Sequence, residues 1–264
     1  MSIHYTITAE EPAIAEIALD QPATLNALAE ADVAELRRAV RQATDDAEAR
    51  RIGALVLRGE GRGFCSGRDI SGVDPATDDA EHYLGELITP LLRELSDVPV
   101  PTFAAVHGVC LGVGLGLVLA CDVAYVAEDA RFGSPFARLG AALDSGGHHL
   151  FVTRLGAQRA MDLILTGDFL SGSEAVAAGM FARALPSSSL LEVTRENARR
   201  VAQGAPLAAR AARGLVREVR DERLGLWETI AQENAVQGEL CNTADYREGF
   251  AAFQEKRPPI FEGK

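Results

Sequence analysis

The sequence predicts an α/β core followed by a helical C-terminal region. Two observations carry that reading. Short apolar runs of strand length alternate with amphipathic helical patterns through the first part of the 264 residues, and helical patterns alone come after. Glycine-dense loops leave two of the runs, at 59–72 and 108–116. No repeat at fixed spacing and no low-complexity segment interrupts this order.

Residues 3–8 and 14–19 carry apolar side chains at near-alternating positions and predict two strands joined around Glu11-Pro12, with Pro22 closing the second. Over 29–50, Val33, Leu36, Ala39, Val40 and Ala43 follow a helical period. The apolar run 52–57 suits a strand buried on both faces. A helix over 78–96 carries Tyr83, Leu84, Leu87, Leu91 and Leu95 inward until Pro99 and Pro101 end it. A buried strand then begins at Thr102, turns at Gly108 and leads into an apolar helix over 115–121, and 123–126 is another strand. From 157 onward the pattern is mostly helical, with a capping box at Ser171 and Glu174 and helices over 190–203, 207–220, 224–240 and 245–255. The expected division is a core over 1–200 and a helical region over 201–264.

Composition narrows the function classes. Hydrophobic residues make up 47% and charged residues 24%, the balance of a globular chain able to bury a large core. The net charge is -12 and no basic run with interleaved aromatics occurs, which argues against nucleic acid as a partner. Cys65, Cys110, Cys121 and Cys241 are scattered without CxxC or metal-like spacing, so they read as reduced thiols and no metal site is expected. The first residues lack the apolar core of a signal peptide, and the longest apolar stretch, 109–120, is too short and glycine-rich to span a bilayer. These features read as a cytoplasmic protein without membrane contact.

Chemistry enters at 102–122, TFAAVHGVCLGVGLGLVLACD. The first N–H groups of a helix lack intrahelical acceptors and, with the positive end of the dipole, favour an anionic oxygen. Loop 59–72, GEGRGFCSGRDISG, leaves another strand, and in a parallel sheet both exits fall on one edge. Two backbone donors converging there make an oxyanion hole; alternatively the glycines serve only tight turns and close packing. Gly112, Gly114 and Gly116 lack the register of a dinucleotide-binding GxGxxG, and no P-loop lysine follows.

The segments QPATLNAL at 21–28, GRGFCSGRDI at 61–70, AAVHGVCLGVGLGLVLACDV at 104–123, RFGSPFARLG at 131–140, LTGDFLSGSEAVAAGMF at 165–181 and YREGFAAFQEKRPPIF at 246–261 together give a specific match. The sequence resembles the crotonase superfamily, the enoyl-CoA hydratases and isomerases, over essentially its full length. Its C-terminal segment resembles the phenylacetate-pathway isomerases more than ordinary hydratases. The resemblance implies a spiral of ββα units with a helical C-terminal trimerisation region, assembled as a homotrimer or a dimer of trimers. It also implies an acyl-CoA thioester substrate and no cofactor beyond the coenzyme A that the substrate carries. The implied oxyanion donors are the backbone N–H groups of Arg68 and Val113. Phe64 and Phe136 are implied in the acyl pocket, and Ser66, Phe253 and Lys256 in coenzyme A binding. The basic residue that family members often carry around QPATLN is missing; Gln21 and Thr24 stand there.

The two glutamates of a syn hydratase fall on Gly116 and Phe136, neither of which transfers a proton. Such acid–base groups are worth ~10²–10⁴ in rate. Asp144, in AALDSGGHH, matches instead the aspartate of dienoyl-CoA isomerases and phenylacetate-pathway ring isomerases, and the nucleophile of the 4-chlorobenzoyl-CoA dehalogenases. A single carboxylate can take a proton from one carbon and return it two carbons along. By residue type alone, Asp144 reads first as the cap of a helix beginning near Ser145, and the resemblance reverses that order. An apolar surround of Phe136 and Phe64 would raise its pKa.

The expected function is therefore an acyl-CoA isomerase with Asp144 as proton shuttle. The alternatives are a hydratase or thioester hydrolase of the same fold, and a non-catalytic subunit that binds CoA esters. Ser145, His148 and His149 lack a GxSxG elbow and sit too close along one helix to assemble a triad. His107 is expected to hold its turn and Asp69 to order its loop, while His82 is a candidate second proton carrier.

Overall fold

The computed structural model describes residues 2–10 and 12–264, the side chains of Ala137 and Arg138 excepted. The near-alternating N-terminal residues form β1, Ile3–Ile7, antiparallel to β2, Ala15–Leu19, in which every residue is buried. Helix α1, Glu30–Glu48, turns Val33, Leu36, Val40 and Ala43 inward. Strand β3, Leu55–Gly59, runs parallel to β2 and starts later than the apolar run predicts. Gly53 is packed under a later helix, where a Cβ would lie 2.7 Å from Ala202 Cβ, so the chain reaches the sheet only beyond it.

The helix predicted over 78–96 is one rod with a change of pitch: α2, Ala80–His82, a π-helical segment, Tyr83–Ile88, and α3, Thr89–Asp97. π segments are rare and concentrate at functional sites. This one buries Tyr83, whose hydroxyl donates to Leu28 O at 2.7 Å.

Strands β4, Thr102–Val106, and β5, Val109–Leu111, are separated by His107 and Gly108 yet belong to different sheets. Helix α4, Val113–Ala120, follows, then β6, Val123–Ala127, and β7, Arg131–Gly133. Next come α5, Gly147–Leu155; α6, Ala157–Thr166; β8, Phe169–Ser171; and α7, Gly172–Ala177, which opens on the predicted capping box. The chain continues with β9, Arg183–Leu185; α8, Leu190–Ala202; α9, Pro206–Asp221; α10, Leu226–Leu240; and α11, Ala244–Glu255.

One sheet has the order β1-β2-β3-β4-β6-β9, parallel from β2 onward, and the other β5-β7-β8. The chain steps repeatedly from the first sheet into the second: β4 to β5, β6 to β7, and β3 through Cys65, which bridges Cys110. Helices return it each time, which gives the spiral of ββα units. Strands β5, β7, β8 and β9 span three residues each, too few for an alternating pattern to register in sequence.

Helix α8 packs across β3, β4 and β6. Its Arg195 reaches Glu16 on β2, with Nε and Nη2 donating at 2.5 and 2.8 Å, and Arg58 Nε donates to the same carboxylate at 3.0 Å. Burial alone would raise the Glu16 pKa, but the two guanidinium groups outweigh it and hold the carboxyl below its usual value. Stability from this group is present above the unfolded carboxyl pKa and is lost as pH falls through the depressed native one. Glu16→Gln is expected to destabilise the protein by on the order of 1–3 kcal/mol in urea titration near neutral pH, and by less at acid pH.

Helix α9 is tied to the core by Arg213 and Arg217, which pair with Asp122 at 2.7 and 3.0 Å. No residue of α9 or α10 is buried, and Val216, Leu226 and Trp227 are exposed. Among the described residues no helix is long and apolar enough to cross a membrane.

Candidate active site

Loop 59–72 is stitched to the segment that follows β4. Phe64 N donates to His107 O and Val109 O at 2.8 and 3.1 Å, and Leu111 N donates to Cys65 O at 3.0 Å. Farther along, Leu28 N donates to Gly67 O at 2.9 Å and Asp69 N to Leu28 O at 3.0 Å. The Arg68 N–H lies between these two bonds and has no acceptor among the described residues. Val113 N–H, at the start of α4, has none either. The two donors are neighbours, since a Cβ on Gly67 would lie 3.9 Å from Val113 N. Gly114 permits the approach: a Cβ there would stand 2.5 Å from Cys65 O.

Side chains hold this arrangement from outside. Buried Asn26 donates from Nδ2 to Glu60 O and Gly63 O at 3.0 and 2.7 Å, and its Oδ1 accepts from Gln21 N at 2.7 Å. The Arg68 guanidinium stacks 4.4 Å over the Tyr83 ring and forks onto Asp78 at 3.0 and 2.6 Å. Sequence reasoning missed Asn26, Tyr83 and Asp78 as site supports. The only local signal was asparagine's tolerance of the left-handed conformation that Asn26 adopts at φ 57°.

Asp144 enters from the turn before α5. Gly112, at φ 50° and ψ -119°, has a backbone that favours glycine, and a Cβ on it would lie 2.9 Å from Phe136 Cζ and 3.4 Å from Asp144 Oδ1. The carboxyl is thus packed beside Phe136, one residue from the Val113 N–H. Asp144 Oδ1 is buried without a hydrogen-bond partner. Burial raises its pKa, and the adjacent Ser145 hydroxyl opposes part of that rise without reaching hydrogen-bond geometry.

The helix-cap alternative for Asp144 does not hold. Helix α5 starts at Gly147 with Gly146 as its cap residue, and Gly147 N donates to the backbone oxygen of Asp144 at 2.9 Å, not to its carboxyl. The hydratase glutamate has no room at 116, where a Cβ would meet Ser145 Cβ at 2.7 Å and Leu92 Cδ1 at 3.0 Å.

Other expected residues are not all brought here. Phe64 is wholly buried in the core and presents no open surface, which corrects its expected place in the acyl pocket. Ser66 lies beside the loops with its hydroxyl donating to Thr24 O at 3.1 Å. Phe253 and Lys256 stand apart at the end of α11, Phe253 85% exposed on an apolar groove of about 420 Å³ with Leu207, Leu240, Tyr246, Phe250 and Phe261. His107 Nε2 lies 3.0 Å from Gly61 O, and Asp69 Oδ1 accepts from Ser71 N at 2.9 Å, so both order their loops. His82 is exposed on α2. Cys65, Cys110 and Cys121 are buried free thiols.

Comparison with known proteins decides the family. The family model for enoyl-CoA hydratase/isomerase matches residues 9–264. The chain belongs to the enoyl-CoA hydratase/isomerase family. Its fold is the crotonase fold, and it is an enzyme of CoA thioester chemistry, which sets aside the non-catalytic subunit. A probable enoyl-CoA hydratase from Rhodobacter capsulatus is 37% identical, with 100% of each chain covered. A 1,2-epoxyphenylacetyl-CoA isomerase from Escherichia coli is 32% identical, covering 99% of this chain and 100% of that protein. The solved structure of enoyl-CoA hydratase subunit I from Geobacillus kaustophilus superposes with a TM-score of 0.87 at 34% identity, covering 100% of this chain and 99% of the other.

Proposed function

We propose that this family member is an acyl-CoA isomerase that moves a double bond through a thioester enolate. The observation that carries the reading is the placement of one half-buried carboxyl, Asp144, whose Oδ1 is buried and unpartnered, beside two unpartnered backbone donors. The thioester oxygen accepts from the N–H groups of Arg68 and Val113. Their hydrogen bonds strengthen as negative charge develops on that oxygen, which lowers the barrier to removing the α-proton. Asp144 takes that proton in its ionised form and, as a neutral acid, returns it two carbons along, so no second acid is consumed. Its apolar seat suits both roles, because desolvation brings the carboxyl closer to the neutral range in which a single group both accepts and donates.

The reading needs no cofactor; coenzyme A arrives with the substrate, with Ser66, Phe253 and Lys256 as its proposed contacts. A homotrimer that buries the open faces of α9 and α10 fits the exposure of Val216, Leu226 and Trp227. The acyl group is placed near those of the phenylacetate-pathway isomerases only as part of this proposal, since the hydratase named above is the more similar of the two relatives.

That hydratase's name also supports the rival reading, in which Asp144 activates water. Turnover of 2-enoyl and 3-enoyl thioesters in ¹⁸O-labelled water separates them. The isomerase yields a shifted double bond without label, and label in a hydroxyacyl product would establish hydration. Gly116→Glu, alone or with Phe136→Glu, is expected to confer no hydration, because the added side chain collides with Ser145 and Leu92. Overpacking there should cost about 1–3 kcal/mol, read from the denaturation midpoint.

A further inference from the structure

Gly112 and Gly116 are one helical turn apart and share a face of α4. The Asp144 turn is seated on that face, one residue on each glycine. The Asp144 carboxyl lies against Gly112, with Oδ1 3.4 Å from where its Cβ would be. Ser145 lies against Gly116, its Cβ and carbonyl oxygen 2.7 and 3.0 Å from that position. Ser145 holds φ 52°, a conformation uncommon outside glycine, and its Oγ is buried with no partner. Backbone strain and an unsatisfied buried hydroxyl both oppose stability, and their coincidence at one residue next to a candidate base points to function.

We infer that Ser145 is the positioning residue of Asp144: its hydroxyl, admitted by the missing side chain at Gly116 and unpartnered in the structure, turns to donate to the Asp144 carboxylate when that group is ionised and fixes which oxygen faces the substrate. The inference rests on the isomerase reading above. It gives Gly116 a positive role, since a hydratase glutamate at 116 and a serine seated there exclude each other. Apart from the backbone N–H groups of Arg68 and Val113, which the isomerase reading assigns to the thioester oxygen, the side chains named here offer Asp144 no other free donor. Gly112 and Phe136 beside Asp144, and Gly116 and Leu92 beside Ser145, are apolar, and the Tyr83 hydroxyl is committed to Leu28 O. The Arg68 guanidinium is paired with Asp78, and His148 and His149 are both exposed.

The test compares Ser145→Ala, Ser145→Gly and Gly116→Ala with Asp144→Asn, using 3-enoyl-CoA turnover across pH and a melting curve for each variant. Both serine variants should lose about ten-fold in kcat with KM little changed. The acid limb of the profile should move to higher pH, because the carboxylate loses a donor that favours its charged form. Gly116→Ala, which dislodges Ser145 without altering it, should move the limb the same way. A glycine variant with wild-type kcat and an unmoved limb would reduce Ser145 to turn geometry and overturn the inference. An inactive Asp144→Asn beside unmoved limbs in the other variants overturns the role of Ser145 alone; an active Asp144→Asn overturns the isomerase reading and this inference together.

Discussion

Asp144→Asn is expected to lower kcat for double-bond migration by about 10²–10⁴ and, at the same time, to raise the melting temperature near neutral pH. Both effects come from the same burial. The variant keeps the shape of the side chain, so substrate binding and KM should change little, while the group that accepts and returns the proton is gone. The stability effect follows from the direction of the pKa shift. Burial holds the native carboxyl above its unfolded value of about 3.9, so the stability it contributes is complete below that value and is lost as pH rises through the raised native pKa. At neutral pH the ionised Asp144 therefore opposes folding, and a neutral asparagine removes that opposition. In a chain of this size each ~1 kcal/mol moves the melting temperature by roughly 2–4 °C, which calorimetry resolves. The same shift predicts that wild-type kcat/KM falls on acidification at a higher pH than an unshifted aspartate would give. A variant that turns over like wild type, or melts lower at neutral pH, contradicts this account of Asp144.

Gly114→Ala is expected to cost about 10²–10³ in kcat with the Asp144 carboxyl untouched. Alanine in a helix ordinarily favours stability over glycine by roughly 0.8–1.0 kcal/mol, but here its Cβ would stand 2.5 Å from Cys65 O and 3.0 Å from Cys65 Cβ. These are backbone and near-backbone atoms that cannot swing aside, so the 65–68 segment must move off the start of α4. That movement separates the Arg68 N–H from the Val113 N–H. The two variants differ in their pH profiles: Gly114→Ala should keep the acid limb of the wild type, because Asp144 still titrates in its own surround. Wild-type kcat in a folded Gly114→Ala protein would show that the spacing of the two donors does not govern the rate.

The sequence was legible where one element spans several residues of a clear period. Helix α1, the N-terminal strand pair and the capping box at Ser171 appear where Val33, Leu36, Val40, the alternating apolar positions and Glu174 predict them. The short strands of the second sheet were not legible, because three residues carry no period and their pairing depends on chain reversals such as the one at Gly108. At the site, the two donor loops were read from glycine density and strand exits, and their convergence depends on Gly114, whose role is visible only against Cys65. Phe64 was placed in the acyl pocket by the family resemblance, whereas its ring has no exposed surface in the core. Asp144 looked like a helix cap because its spacing to an apolar helix fits one, whereas Gly146 adopts the left-handed conformation and takes the cap position. The support from Asn26, Tyr83 and Asp78 joins segments distant in sequence, which no local pattern encodes.

The most direct test is whether the migrating proton is carried by one group. A 3-enoyl-CoA deuterated at C2 is turned over once in ordinary water, and the product is analysed by mass spectrometry for deuterium at C4. A half-buried carboxyl that removes and returns the same hydrogen predicts deuterium at C4 in the wild type and none from Asp144→Asn. A wild-type product with no deuterium at C4 and with oxygen from solvent at C3 would contradict the single-carboxylate isomerase and establish hydration instead.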